Sequence, residues 1–208
     1  MNFKTHVIGG ISTGVIANEF LIQHTSSGDT ATQMLMSSIF VAGSVIGSIL
    51  PDIDHRGSYL GRRMRIVSTP LTVAGEVTKQ VKKVTNTVTG KKGSTSTIIS
   101  HRGITHTPLL LMGVVAFLLF ISRTFMTGMA TDLFSYMSIG LGFGIASHIF
   151  LDCLTKGGAP LLYPLTSKKF SFLPLTTGGF LEGVVGLVII VGTLLFLGSR
   201  HVFTIPFI

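Results

Sequence analysis

Histidine and carboxylate residues are few in this 208-residue chain, seven His against eight Asp and Glu, and they recur in short clusters. Pro51-Asp52-Ile53-Asp54-His55 is the first cluster, His101-Arg102-Gly103-Ile104-Thr105-His106 the second, and His148 with Asp152 the third; His6 precedes them and Glu182 follows. Histidine with carboxylate is the ligand set of a hydrolytic zinc or related divalent site. His148 and Asp152 stand four apart, so on a helix they share one face and can grip one ion. Asp52 and Asp54 stand two apart after a proline, and in an extended turn both point the same way. His101 and His106 straddle Gly103, where a loop can curl to turn both imidazoles inward. His6, Asp52, Asp54, His101, His106, His148 and Asp152 are thus seven candidate ligands. That is more than one tetrahedral ion uses, so the expected cofactor is divalent metal, about one to three ions, with Zn²⁺ first and Mn²⁺ or Mg²⁺ as alternatives. Such ions bring a bound water's pKa near neutrality and polarise a substrate oxygen. Asp54 or Glu182 is the candidate general base.

Each element has an ordinary reading when taken alone. An isolated Asp-x-Asp is a turn or a helix cap. Thr105-His106-Thr107-Pro108 reads as a helix start with its proline in the first turn. A single interfacial histidine is more often structural than ligating, and Cys153, beside Asp152, reads as packed. The metal reading therefore rests on convergence, and convergence depends on the elements that carry these residues.

Those elements read as membrane helices. The chain is 46% hydrophobic and only 12% charged, with a net charge of +8, whereas a soluble domain carries about 25% charged residues. Disorder is excluded by the hydrophobic content, and a disulfide scaffold by the single cysteine. A basic chain this apolar, without a recognisable motif, is not read as a nucleic-acid binder. Stretches nearly free of charge and about 20 residues long cross a bilayer, and they predict spans at about 5–22, 33–50, 104–122, 133–151 and 182–199. The first is weak, with Glu19 and several Gly, Ser and Thr, and it competes with a signal peptide ending near Val15-Ile16-Ala17. The expected fold class is all-α: one polytopic membrane domain over 1–208, a bundle of about five transmembrane helices with a basic cytoplasmic loop at 52–102.

With five spans, fourteen of the sixteen basic residues fall on the side of the N-terminus: Lys4, ten in the 52–102 loop, and three in the 152–182 connector. The positive-inside tendency makes that side cytoplasmic. Spans one, three and five start there, and spans two and four end there. All seven candidate ligands and Glu182 therefore lie in one layer at the cytoplasmic face, where polar groups at an apolar boundary are functional candidates. His24, His201 and Glu19 fall toward the other face. Arg102, Lys168 and Lys169 share the cluster's face and are candidates for holding an anionic substrate group; the alternative is that they are ordinary positive-inside charges. Phe170 and Phe172 beside them fit an interfacial segment that admits a lipid.

Two further patterns concern packing. Val73, Val77, Val81, Val84 and Val88 fall on one helical arc, with Lys79, Lys82 and Lys83 elsewhere. They predict a basic amphipathic helix over about 72–89 lying on the anionic leaflet, or else a solvated loop, since Val and Thr are mediocre helix formers. Gly10/Gly14, Gly43/Gly47, Gly140/Gly144 and Gly179/Gly183 are pairs four apart that would let helix backbones approach in lipid.

The ordered set Thr5-His6, Leu50-Pro51-Asp52-Ile53-Asp54-His55, His101-Arg102-Gly103-Ile104-Thr105-His106-Thr107, His148-Ile149-Phe150-Leu151-Asp152 and the 157–164 stretch GGAPLLYP resembles the YdjM-like family along essentially the whole chain. These are bacterial inner-membrane proteins described as predicted metal-dependent hydrolases. The resemblance implies that the same seven His and Asp residues are the functional ones. Thr107 stands where Ser is equally expected, a mild departure. The family label also mentions the LexA repressor, a partner that nothing in these residues supports. In ligand type alone, the layout is similar to zinc-dependent phospholipase C. The function expected is a membrane-embedded metal-dependent hydrolase of a phosphoester, such as a lipid phosphate or another anionic small molecule. The rivals are a metal-ion or proton-coupled transporter, which needs polar groups deeper in the spans, and a non-catalytic adaptor, which leaves the His and Asp cluster unexplained.

Overall fold

Among the described residues the apolar stretches form five α-helices: α1 (Phe3–Leu21), α2 (Thr30–Ile49), α3 (Pro108–Phe125), α4 (Met129–Cys153) and α5 (Phe180–Val202). They are seen in a computed structural model that describes residues 1–21, 29–54, 104–163, 165–166, 168–173 and 175–202. The chain is all-helical; among the described residues there is no strand, only isolated bridges between Thr155 and Leu175 and between Ala159 and Phe170 in the α4–α5 connector. Short 3-10 turns over Leu50–Asp54 and Ile104–His106 close α2 and precede α3. The amphipathic pattern at 72–89 lies outside the described residues.

Among the described residues three helices are long and apolar enough to cross a membrane, over Thr30–Ile53, Met129–Cys153 and Phe180–Arg200, and Leu111–Phe125 is a shorter apolar helix. α1 is not among them, because Lys4, Glu19 and its Gly, Ser and Thr residues dilute its hydropathy. It is held by packing instead: Thr5, His6, Gly9, Gly10, Ser12, Gly14 and Ala17 are all buried. α2 starts at Asp29, whose side chain accepts from the Thr32 amide at 3.2 Å. Hydrogen bonds from Thr32 hold the Asp29 carboxyl below its usual range.

The centre of the bundle is the α2–α4 contact, and glycine makes it. A Cβ added at Gly140 or Gly144 would overlap the carbonyl of Phe40 or Ser44; one at Gly43 or Gly47 would overlap that of Met137 or Leu141. Backbone thus meets backbone, and van der Waals contact replaces the hydrophobic drive that lipid removes. α1 joins through Gly10 and Gly14, which face Ser48 and Ser44; the Ser44 hydroxyl donates to the Gly10 carbonyl at 2.7 Å. The fourth pair behaves differently. Gly183 faces open space, and Gly179 precedes α5 and sits on Thr176, so Gly179/Gly183 is not a helix-packing pair. α3 lies on α4, with Val115 against Gly142. α5 leans on α1 and exposes Leu187, Val188, Leu194 and Leu195, an apolar face suited to acyl chains.

Candidate functional site

Four chain segments meet at one end of the bundle. The start of α1 brings His6, the turn after α2 brings Asp52, the turn before α3 brings His106, and the last turn of α4 brings His148 and Asp152. His6, His106, His148 and Asp152 are all 1% exposed or less, while the Asp52 side chain is 27% exposed. Asp52 is therefore the member of this group that faces the outside.

The geometry is that of a ligand cage. His148 Nε2 lies 3.2 Å from His106 Nε2. Asp52 Oδ1 is 3.6 Å from His106 Nε2 and 3.7 Å from His148 Nε2. Asp152 Oδ2 is 3.6 Å and 3.8 Å from the same two atoms. A tetrahedral ion with bonds of about 2.0–2.1 Å holds its ligands about 3.3 Å apart, so these separations need little adjustment. His6 stacks on His148 with ring centroids 3.8 Å apart, and its Nε2 is 3.5 Å from Asp152 Oδ1. The residues form two overlapping triads, His6/Asp52/His148 and His106/His148/Asp152, in each of which the ligand atoms lie within 4.8 Å of one another.

Second partners orient the rings. His148 Nδ1 lies 2.6 Å from the Ser48 carbonyl, which can only accept, so Nδ1 carries the proton and donates. That fixes Nε2 as a lone pair aimed into the cage, the usual support for a metal-binding imidazole. His106 Nδ1 is 2.9 Å from the Thr105 hydroxyl. A single lone pair on His148 serves a single ion, so the two triads cannot each hold an ion through His148.

The donor set fits a metal ion. Two imidazole Nε2 atoms at 3.2 Å repel when both present lone pairs, so either His106 donates an Nε2–H to His148 or a metal ion takes both lone pairs. Asp152 is a buried carboxylate, and a buried charge requires an opposite one. Here the Met1 ammonium donates to Asp152 Oδ1 at 2.7 Å, so a cation already neighbours that carboxylate. His6 Nδ1 is buried without a hydrogen-bond partner. These buried groups can hold a metal ion.

The other expected site residues are placed as follows. Glu182 is buried but belongs to neither triad. Its Oε1 accepts from the Asn2 amide and from the Thr5 hydroxyl at 2.9 Å, and its Oε2 accepts from the Gly178 amide at 2.5 Å. Both oxygens are engaged, and the contact ties the start of α1, next to His6, to the start of α5. Lys168 and Lys169 are exposed on the α4–α5 connector. His101, Arg102 and the Asp54 side chain lie outside the described residues. The Ser48 carbonyl and the Met1 amino group have no sequence signal, since a backbone or terminal group carries no residue type to read, and Thr105 reads in the sequence only as part of a helix start.

A sequence profile of the family described as "YdjM inner membrane protein" matches residues 1–204. The chain belongs to the YdjM family. Its relatives include the uncharacterized protein YvsG of Bacillus subtilis, 29% identical over 185 residues that cover 89% of this chain and 87% of that protein. The inner membrane protein YdjM of Escherichia coli is 30% identical over 126 residues, covering 60% of this chain and 48% of that protein. No solved structure matches the chain. With its several apolar helices, this YdjM-family chain is an inner-membrane protein, polytopic and all-α.

Proposed function

We propose that the His/Asp cluster is the centre of a membrane-embedded hydrolase that cleaves a phosphoester, such as a lipid phosphate, at the cytoplasmic face, with the N-terminus on that side. The observation that carries this reading is the 3.2 Å approach of His106 Nε2 and His148 Nε2 between the carboxylates of Asp52 and Asp152. Imidazole and carboxylate donors together favour Zn²⁺, with Mn²⁺ as the alternative. His6, Asp52, His106, His148 and Asp152 would hold it, and when bound it would activate water and polarise a phosphoryl oxygen. His148 is kept in its ligating tautomer by Ser48. Asp52 marks the side from which a substrate arrives. Asp54, in the same turn, is the candidate base, while Glu182 is occupied as a tether. Lys168 and Lys169, and Arg102 in the loop, supply positive charge for an anionic head group. The fourteen-to-two split of basic residues supports the orientation.

The test is turnover. Purified full-length protein supplied with Zn²⁺ or Mn²⁺ is expected to release phosphate or a phosphorylated head group from lipid vesicles, and His148→Ala to abolish the release. Equal activity in that variant contradicts the reading. Metal flux into proteoliposomes without hydrolysis favours a transporter instead.

A further inference from the structure

α5 nears α4 where Val185 and Ile189 pack against the buried cluster that contains Leu151, at the His/Asp end of the bundle. Farther into the bilayer, the two helices flank a cleft floored by α1. Its volume is about 480 Å³, and its lining includes Gly9, Ser12 and Ile16 of α1, Phe150 of α4, and Val188 and Gly192 of α5. The cleft begins one turn beyond His6, at Gly9, and on α4 at Leu151, the residue before Asp152, and runs inward past Ser147. It therefore extends from just beneath the His/Asp cluster toward the membrane interior.

We infer that this α4–α5 cleft binds an acyl chain of a lipid phosphate whose head group lies at the His/Asp cluster. The inference rests on the proposed phosphoester chemistry for the role of that lipid, but chain binding itself requires no turnover. Volume decides against a helix as the occupant. A helix about 10 Å across would fill 480 Å³ in roughly one turn, whereas a single file of methylenes, with neighbours about 4 Å away, suits a narrow cleft. Ile16, Phe150 and Val188 give it apolar walls, and Gly9 and Gly192 keep parts of its surface flat. The Thr193 hydroxyl donates to the Ile189 carbonyl at 2.8 Å, so it does not present an unmet donor to the chain. The orientation also agrees: a lipid of the leaflet on the cluster's side has its phosphate at the boundary and its tail directed inward.

The test uses full-length protein in nanodiscs of phosphatidylcholine doped with a phosphatidic acid carrying a diazirine along one acyl chain. The expected label falls on residues 12–16 and 188–193, is competed by unlabelled phosphatidic acid, and spares 112–119. That last stretch borders a second membrane groove, of about 450 Å³, between α3 and α4. A Cβ at Gly192 meets open space, so Gly192→Phe fills the cleft without disturbing the bundle. Labelling should drop about tenfold, the worth of roughly two buried methylenes, while bound metal stays at the wild-type level. Gly192→Leu is the smaller companion variant and should give an intermediate loss. Equal labelling of both grooves, or labelling unchanged in Gly192→Phe, overturns the inference. Competed labelling in a protein without hydrolysis leaves the cleft standing and removes only the catalytic reading.

Discussion

His148 hangs from α2: its Nδ1 donates to the backbone carbonyl of Ser48 at 2.6 Å, across the close glycine-lined α2–α4 contact. Ser48 also lies against Gly144 and faces Gly10. The packing of α1, α2 and α4 is therefore the same feature that points the His148 Nε2 lone pair into the cage, and a change in helix spacing becomes a change in ligand geometry.

Gly144→Ala tests that coupling. The added methyl would overlap the Ser44 carbonyl and sit 2.7 Å from the Ser48 amide, and because both are backbone, the helices must separate. Overpacking of this kind costs about 1–3 kcal/mol. Metal affinity should fall as well, by about 10–100-fold, the usual cost of losing a ligand's supporting hydrogen bond. Thermal denaturation and metal titration of the detergent-purified variant read the two effects. Lost stability with unchanged metal affinity would uncouple packing from the site.

Gly183→Ala is the opposite case. No atom lies within 4 Å of the added methyl, and alanine is the better helix former by about 1 kcal/mol. The melting temperature should stay level or rise slightly. A marked loss would show that Gly183 packs against something after all, as the four-residue spacing from Gly179 had suggested.

That contrast shows what the sequence could reveal. The apolar stretches located all five helices to within a few residues, because a span's length is set by the bilayer. Alternating span direction placed His6, Asp52, His106, His148 and Asp152 at one end before any contact was known. Glycine spacing was ambiguous: Gly140/Gly144 and Gly179/Gly183 look alike in the chain, and only the neighbouring helix distinguishes them. In the sequence Glu182 suggests a base because it is a carboxylate in the same layer as the histidines. Its partners are two backbone amides and the Thr5 hydroxyl, and amides leave no trace in residue type. The weak hydropathy of α1 has a similar cause, since its polar and small residues face α2 and α4 rather than lipid.

Glu182 is expected to act as a tether. Glu182→Ala leaves the Asn2 and Gly178 amides and the Thr5 hydroxyl without their acceptor, at about 1–3 kcal/mol for buried groups. It should lower both the melting temperature and metal retention, because Thr5 adjoins His6. Glu182→Gln keeps an acceptor oxygen and should restore most of both. If Glu182 were the base, Gln would instead abolish turnover while leaving stability and metal content intact, and that pattern would overturn the tether assignment.

On this reading His6, Asp52, His106, His148 and Asp152 form one metal cage. Its most direct test is elemental analysis of the detergent-purified full-length protein beside Asp152→Ala and His148→Ala, each purified without chelator and checked for helical content. Zinc, or manganese, is expected to be bound stoichiometrically in the wild type and lost in both folded variants. No metal in the wild type after reconstitution with either ion, or full metal content in both variants, would contradict it.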